Sequence, residues 1–193
     1  MNLKYLMKSI QYFIIYLVII SYAECSNQSK NPDIRPDRID TPTTLTSTDS
    51  KFIVDAAELS LEGIDMGKLA QINSDNQNIK DLGRELVIDY RKILNQLKVI
   101  GIHKTISLPD EMNSTGRDSY EKLMVKKGNE FDNQVSSVII SIDTSAIHLF
   151  EQEAKYAQDT EVKECLASSL PILKSNLMNI QSIKDTLHKV ALQ

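Results

Sequence analysis

The sequence predicts an all-α protein whose folded part is an antiparallel four-helix bundle. Three observations carry this reading. Four long stretches repeat their apolar residues at three- and four-residue spacing, the period of one helix face. The chain has only 6 Gly and 5 Pro in 193 residues, too few for a turn-rich sheet protein. Its 41% hydrophobic and 25% charged residues fit one globular domain with accessory segments.

Residues 1–23 read as a bacterial signal peptide. Lys4 and Lys8 form a positive region, and Ile10 to Ile20 are nearly all apolar. Ser21-Tyr22-Ala23 then places small residues three and one before a cut, as the narrow pocket of a signal peptidase requires. The alternative is an uncleaved membrane anchor. The apolar run is shorter than the roughly 20 residues that span hydrocarbon, although Tyr5 to Met7 could lengthen it. Cys25 lies two residues past the cut and before the polar run Ser26-Asn27-Gln28-Ser29-Lys30, where a bacterial lipoprotein carries its acylated cysteine. Glu24 is charged where such a site has a small residue. Cleavage after Ala23, acylation at Cys25 and retention as an anchor are the alternatives, in that order. The last two would make a membrane a partner.

If Cys25 is acylated, Cys165 has no partner and reads as a small buried apolar residue; otherwise a Cys25–Cys165 bridge is open. Loss of residues 1–23 removes two lysines and no acid, taking the net charge from −4 to −6. No stretch is basic enough to indicate a nucleic-acid partner.

Residues 24–48 form a polar linker with Pro32, Pro36 and Pro42. Such a segment buries too little apolar area to offset its ordering entropy, so it is expected to be a disordered tether. The bundle is assigned to residues 49–191, with Asp49 or Ser50 as the first N-cap. Phe52, Ala56, Leu59, Gly63, Met66 and Ala70 mark a first helix to about Asn73. Ser74 or Asp75 is expected to cap a second, with Ile79, Leu82, Leu86, Tyr90, Ile93, Leu97 and Ile100 on one stripe and Gly101 as the stop. After a loop through Pro109, Arg117 to Lys126 are assigned a short helix ending at Gly128.

The third long helix is expected from Asn129 to about Ala157, with Phe131, Val135, Val138, Ile142, Ala146 and Leu149 on its stripe. Asp159 or Thr160 caps the fourth, whose stripe is Val162, Leu166, Leu173, Asn176, Ile180, Ile183 and Leu187. Pro171 falls inside it and is expected to kink or divide the helix. Four helices that cannot hide their stripes alone pack most simply against one another.

Five local patterns occur in order: Phe52 with Ala56-Ala57, Gly67-Lys68-Leu69-Ala70, Val87-Ile88-Asp89, Phe131-Asp132 and Leu170-Pro171. Over about residues 50–190 the chain resembles the exported bacterial domain-of-unknown-function family 4142, often described as outer membrane proteins. The resemblance implies a ferritin-like four-helix bundle in the cell envelope and no established activity. It also implies a metal or polar site built from a glutamate on the first helix and a histidine on each of the other three. In this chain those positions hold Gly63, Tyr90, Asp143 and Asn176. Glu62 is adjacent to the first, but a neighbouring helical position points about 100° away.

A di-iron bundle needs inward carboxylates and two Glu-x-x-His pairs. No Glu-x-x-His occurs; the nearest match is Asp185-x-x-His188 in the last turn. His148 and Glu151 share an i, i+3 face but make an incomplete metal set. His103 has no recognisable partner. There is no nucleophile elbow, phosphate-cradling loop or dinucleotide fingerprint.

The sharpest expectation is a polar core cluster of Tyr90, Asp143 and Asn176, with the tyrosine hydroxyl and the asparagine amide donating to Asp143. The alternative leaves Asp143 at the solvent edge. No metal or cofactor is expected; the remaining donors, if one bound, are Asp143, His148 and Glu151, with Tyr90. The expected function is non-enzymatic: binding or scaffolding in the periplasm or at the outer membrane, with an envelope protein or a small ligand as partner. The alternative is a ferritin-like metal-binding or redox protein with a degenerate site.

Overall fold

The computed structural model describes residues 45–191 as five α-helices, with no strand among them. The expected signal segment, Cys25 and the tether as far as residue 44 lie outside the described residues. The helices are α1 (Ser47–Asn73), α2 (Gln77–Lys104), α3 (Ser114–Met124), α4 (Gly128–Glu153) and α5 (Thr160–Ala191).

Local chemistry moves several expected boundaries. The N-cap of α1 is Thr46, not Asp49 or Ser50. Thr46 Oγ1 accepts from the Asp49 N–H at 3.0 Å, and Asp49 Oδ2 accepts from the Thr46 N–H at 2.9 Å. This capping box satisfies two orphan donors reciprocally, which Asp49 alone could not. Helix α2 is capped by Asn76, because Ser74 is engaged elsewhere. It runs past Gly101 and ends at Thr105, whose φ of 58° is left-handed. Gly101 serves a close approach: a Cβ there would lie 3.1 Å from the Ile106 carbonyl oxygen. The short helix starts three residues before the expected Arg117, on the Asn113 side chain, which accepts from the Gly116 N–H at 3.0 Å.

Helix α4 ends at Glu153 rather than near Ala157. Asp159 opens α5 by accepting from the N–H groups of Glu161 and Val162 at 2.9 and 3.2 Å. Pro171 does not divide α5, which is helical from Thr160 to Ala191. Proline removes the bond to the carbonyl four residues earlier. Here that residue is Ala167, exposed like Pro171 itself, so water can satisfy the orphaned acceptor.

The helices pack as a bundle. Helix α1 lies most extensively against α2 and α4 against α5; α1 also touches α4, and α2 touches α5. The short α3 leans on α1 and α4. The inward stripes supply a continuous core that includes Ile53, Met66, Leu86, Leu97, Ile139 and Leu173. Burying each such side chain stabilises the fold by about 1.5–3 kcal/mol before entropy is counted. Phe52 and Phe150 meet edge to face with ring centroids 5.0 Å apart, joining α1 to α4.

At Gly67 and Gly83 the backbones of α1 and α2 come together, and a Cβ on either would lie 2.8 or 2.6 Å from the other's carbonyl oxygen. Gln71 Nε2 donates to both carbonyls at 3.2 Å. Cys165 is a free thiol buried in α5, and burial pushes its pKa up to about 11. Among the described residues no helix is long and apolar enough to cross a membrane.

Candidate functional site

The four positions that the resemblance assigns to polar ligands are all buried: Gly63 on α1, Tyr90 on α2, Asp143 on α4 and Asn176 on α5. Each sits on its helix's inward stripe, and Asp143 is held there by Ile139, Ala146 and Phe150 around it. Its exposure is 0%, so the solvent-edge alternative does not apply.

Tyr90 Oη donates to Asp143 Oδ1 at 2.6 Å, joining α2 to α4 inside the core. The tyrosine ring lies directly over Gly63: a Cβ at that position would fall 2.4 Å from the ring carbons. A glutamate side chain on α1 and this ring cannot share the space. Gly63 and Tyr90 are therefore sterically matched, the missing side chain on one helix making room for the large one on its neighbour.

The expected donation from Asn176 is not made. Its Nδ2 is buried without a hydrogen-bond partner, and so is Asp143 Oδ2. The cluster thus holds one strong bond and two unsatisfied buried atoms. An unpaired buried polar atom costs about 1–3 kcal/mol. Burial raises the Asp143 carboxyl to about 7, more than the Tyr90 hydrogen bond lowers it, and the nearby Asp89 charge adds to the rise. The Tyr90 hydroxyl is raised too, by burial first and then by the charge and hydrogen bond of Asp143. Among the described residues no cation pairs with this carboxyl to offset its burial.

These residues do not fit a metal. Only Asp143 offers an anionic oxygen, Tyr90 already spends its hydroxyl proton on that carboxylate, and Asn176 is neutral. Transition-metal sites need three or more protein donors. Glu62 does not substitute for Gly63. It is half-buried beside α3, where a Cβ on Gly116 would lie 2.9 Å from its carboxyl carbon, and burial raises its pKa.

His148 and Glu151 are exposed, so they cannot share a site with buried Asp143. Glu151 instead pairs with Lys174 of α5 at 2.7 Å, which lowers its pKa. Asp185 and His188 are exposed near the end of α5. Exposed His103 meets Glu161 at 2.8 Å, a link between α2 and α5 that spacing could not reveal. Among the described residues no three His, Cys, Asp or Glu side chains are grouped to hold a metal ion.

Three further polar clusters were not singled out in the sequence. Glu153 is buried at the end of α4, with the buried carboxylate of Asp49 as its neighbour. Burial and the adjacent Asp49 carboxylate raise it to about 7, and its Oε1 has no partner. Its signal was a carboxylate three residues after core Phe150 and seven after core Ala146. Asp159 is also buried. Burial works against its ionised form, but Lys104 and the backbone N–H groups of α5 bring its pKa below the usual value.

At the opposite end of α4, Asp132 Oδ1 accepts from Ser74 Oγ at 2.6 Å, and Asn73 Nδ2 donates to the Met124 carbonyl at 2.9 Å. The Phe131-Asp132 pattern is thereby explained by packing: Phe131 fills the core while Asp132 pins the α1–α2 turn.

No curated protein and no solved structure matches the chain. A family model described as a domain of unknown function, DUF4142, matches residues 36–183, more than half of the chain, and the chain belongs to that family.

Proposed function

We propose that this protein is an exported, non-catalytic bundle of the cell envelope that binds or scaffolds rather than carrying out chemistry. In this reading the four long helices form an antiparallel, ferritin-like four-helix bundle in which the central site has become an internal fastener. The observation that carries it is the Tyr90 ring over Gly63, with its hydroxyl bonded to Asp143. The ring fills the volume that a ligand-bearing side chain on α1 would need. A buried polar pair of this kind serves register between helices, since slipping α2 against α4 would leave both groups unpaired.

Export is supported by Lys4 and Lys8 ahead of the apolar run, and by the small residues before the cut after Ala23. The mass of the mature N-terminus tests that part: a free Glu24, an acylated Cys25 and an intact Met1 give different masses. Metal analysis of protein purified from its native compartment tests the non-catalytic part. Near-stoichiometric iron, copper or zinc that disappears in Asp143→Ala would overturn it.

A further inference from the structure

We propose that the outward face of α2 is a docking surface for a phospholipid bilayer with anionic headgroups, an inference that rests on the envelope reading above. The face is built from residues that return to one side of the helix. Ile88, Asn95, Val99 and Ile102 lie at intervals of seven, eleven and fourteen, within about 60° of one another at about 100° per residue. Their aliphatic members have no use in the core: Ile88 is 67% exposed, Val99 51% and Ile102 77%.

Four cations flank them. Arg84, Arg91 and Lys98 run along one side and Lys92 along the other, all exposed, against two acids, Asp81 and Glu85. Arg84 is paired with Asp81, whereas Arg91, Lys92 and Lys98 have no ion-pair partner among the described residues. The chain as a whole carries a net charge of −4, so this face inverts the sign of the molecule locally. A shallow hollow of about 580 Å³ opens on it, walled by Ile88, Arg91, Lys92 and Val99.

The charge pattern selects the occupant. A second copy of the chain, docked face to face, would set these cations against their own images. The chain's own residues 26–44 carry Lys30, Arg35 and Arg38 against Asp33, Asp37 and Asp40, a net charge of zero that offers the face no complement. On α5 alongside, Glu161 and Glu164 end the positive area, so the complementary surface is confined to the ridge of α2. Aliphatic side chains along the crest with long cationic ones beside them match what a helix lying in a bilayer interface needs. The aliphatics enter the acyl boundary while Arg and Lys stems reach phosphates.

The test is co-sedimentation with phosphatidylcholine vesicles, with and without phosphatidylglycerol. It uses the chain lacking residues 1–23, which keeps every described helix and removes the apolar segment that would itself insert. The expected result is binding only when phosphatidylglycerol is present, weakening as salt is raised. Arg91→Glu with Lys92→Glu should weaken it at least tenfold, since each cation near an anionic surface contributes about a factor of five. Ile88→Ser with Ile102→Ser should weaken it too. Lys122→Glu with Lys163→Glu, exposed elsewhere with the same change in charge, should leave it unchanged. Circular dichroism and unfolding midpoints establish that all variants fold.

No binding to phosphatidylglycerol vesicles, or equal loss in the control variant, overturns the inference. So does capture of an acidic protein by this face without vesicle binding. The envelope reading fails separately, on the mature N-terminal mass: an envelope protein that ignores these vesicles refutes only the docking surface.

Discussion

Replacing Asp143 by asparagine keeps an acceptor for the Tyr90 hydroxyl and abolishes the ionisation that the core opposes. In the unfolded chain this carboxyl loses its proton near its ordinary value of 3.8; in the folded protein it holds the proton to about 7. Between those values the folded state binds more protons than the unfolded one, so stability falls as pH rises and levels off above about 7. Three pH units at about 1.4 kcal/mol each give a loss of about 4 kcal/mol from this group. Asp143→Asn escapes it.

Urea unfolding followed by far-UV circular dichroism, at steps from pH 4 to pH 8, measures both proteins with a common denaturant slope. Glu153, also raised to about 7, titrates alike in each and cancels in the difference. The variant should gain on the wild type by about 4 kcal/mol across the range. Curves that stay parallel, or a wild type that gains on the variant as pH rises, would refute the argument.

Gly63→Ala should destabilise by about 1–3 kcal/mol through its collision with the Tyr90 ring, and Tyr90→Ala by about 3–5 kcal/mol through a cavity. The double variant should cost less than the two together, with a coupling of about 1 kcal/mol or more in a double-mutant cycle; strict additivity would show that the two positions are not matched. Gly83→Ala should lower stability by about 1–3 kcal/mol, because its Cβ would press on the Gly67 carbonyl, and an unchanged unfolding midpoint would contradict the close approach. Lys104→Met should lower the thermal midpoint near neutral pH, as it leaves buried Asp159 with only backbone partners. That loss should shrink as pH falls through the depressed Asp159 pKa, which a thermal melt series would register.

The long helices are legible because their stripes repeat over many turns, and Phe52, Leu86, Phe131 and Leu173 each fall on an inward face. The inward position of Asp143 was readable for the same reason, from the apolar residues three and four away. Helix starts were harder. Thr46, Ser47, Thr48, Asp49 and Ser50 can all cap, and the Thr46–Asp49 box decides; Ser74, Asp75 and Asn76 can cap too, and there the choice depends on which side chain another helix claims. Asp132 takes Ser74, and Asn76 is left to cap α2. The Glu153–Asp49 contact joins residues distant in the chain and needs knowledge of which helix ends meet. The effect of Pro171 depends on the rotation of α5, and the idle amide of Asn176 on how its side chain is placed against the neighbouring helices. Periodicity carries neither.

The burial of Cys165 has a practical consequence for studying motion. A thiol shielded by its neighbours and raised to about 11 is scarcely ionised at neutral pH, and thiolate is the species that reacts with alkylating agents. Labelling must therefore wait for α5 to lift away. The rate at which a reagent modifies this sulfur reports how often the native protein opens there. Measured against Asp143→Asn at pH 8, that rate tells whether relieving the charge in the core also slows the breathing of the helix that carries Asn176.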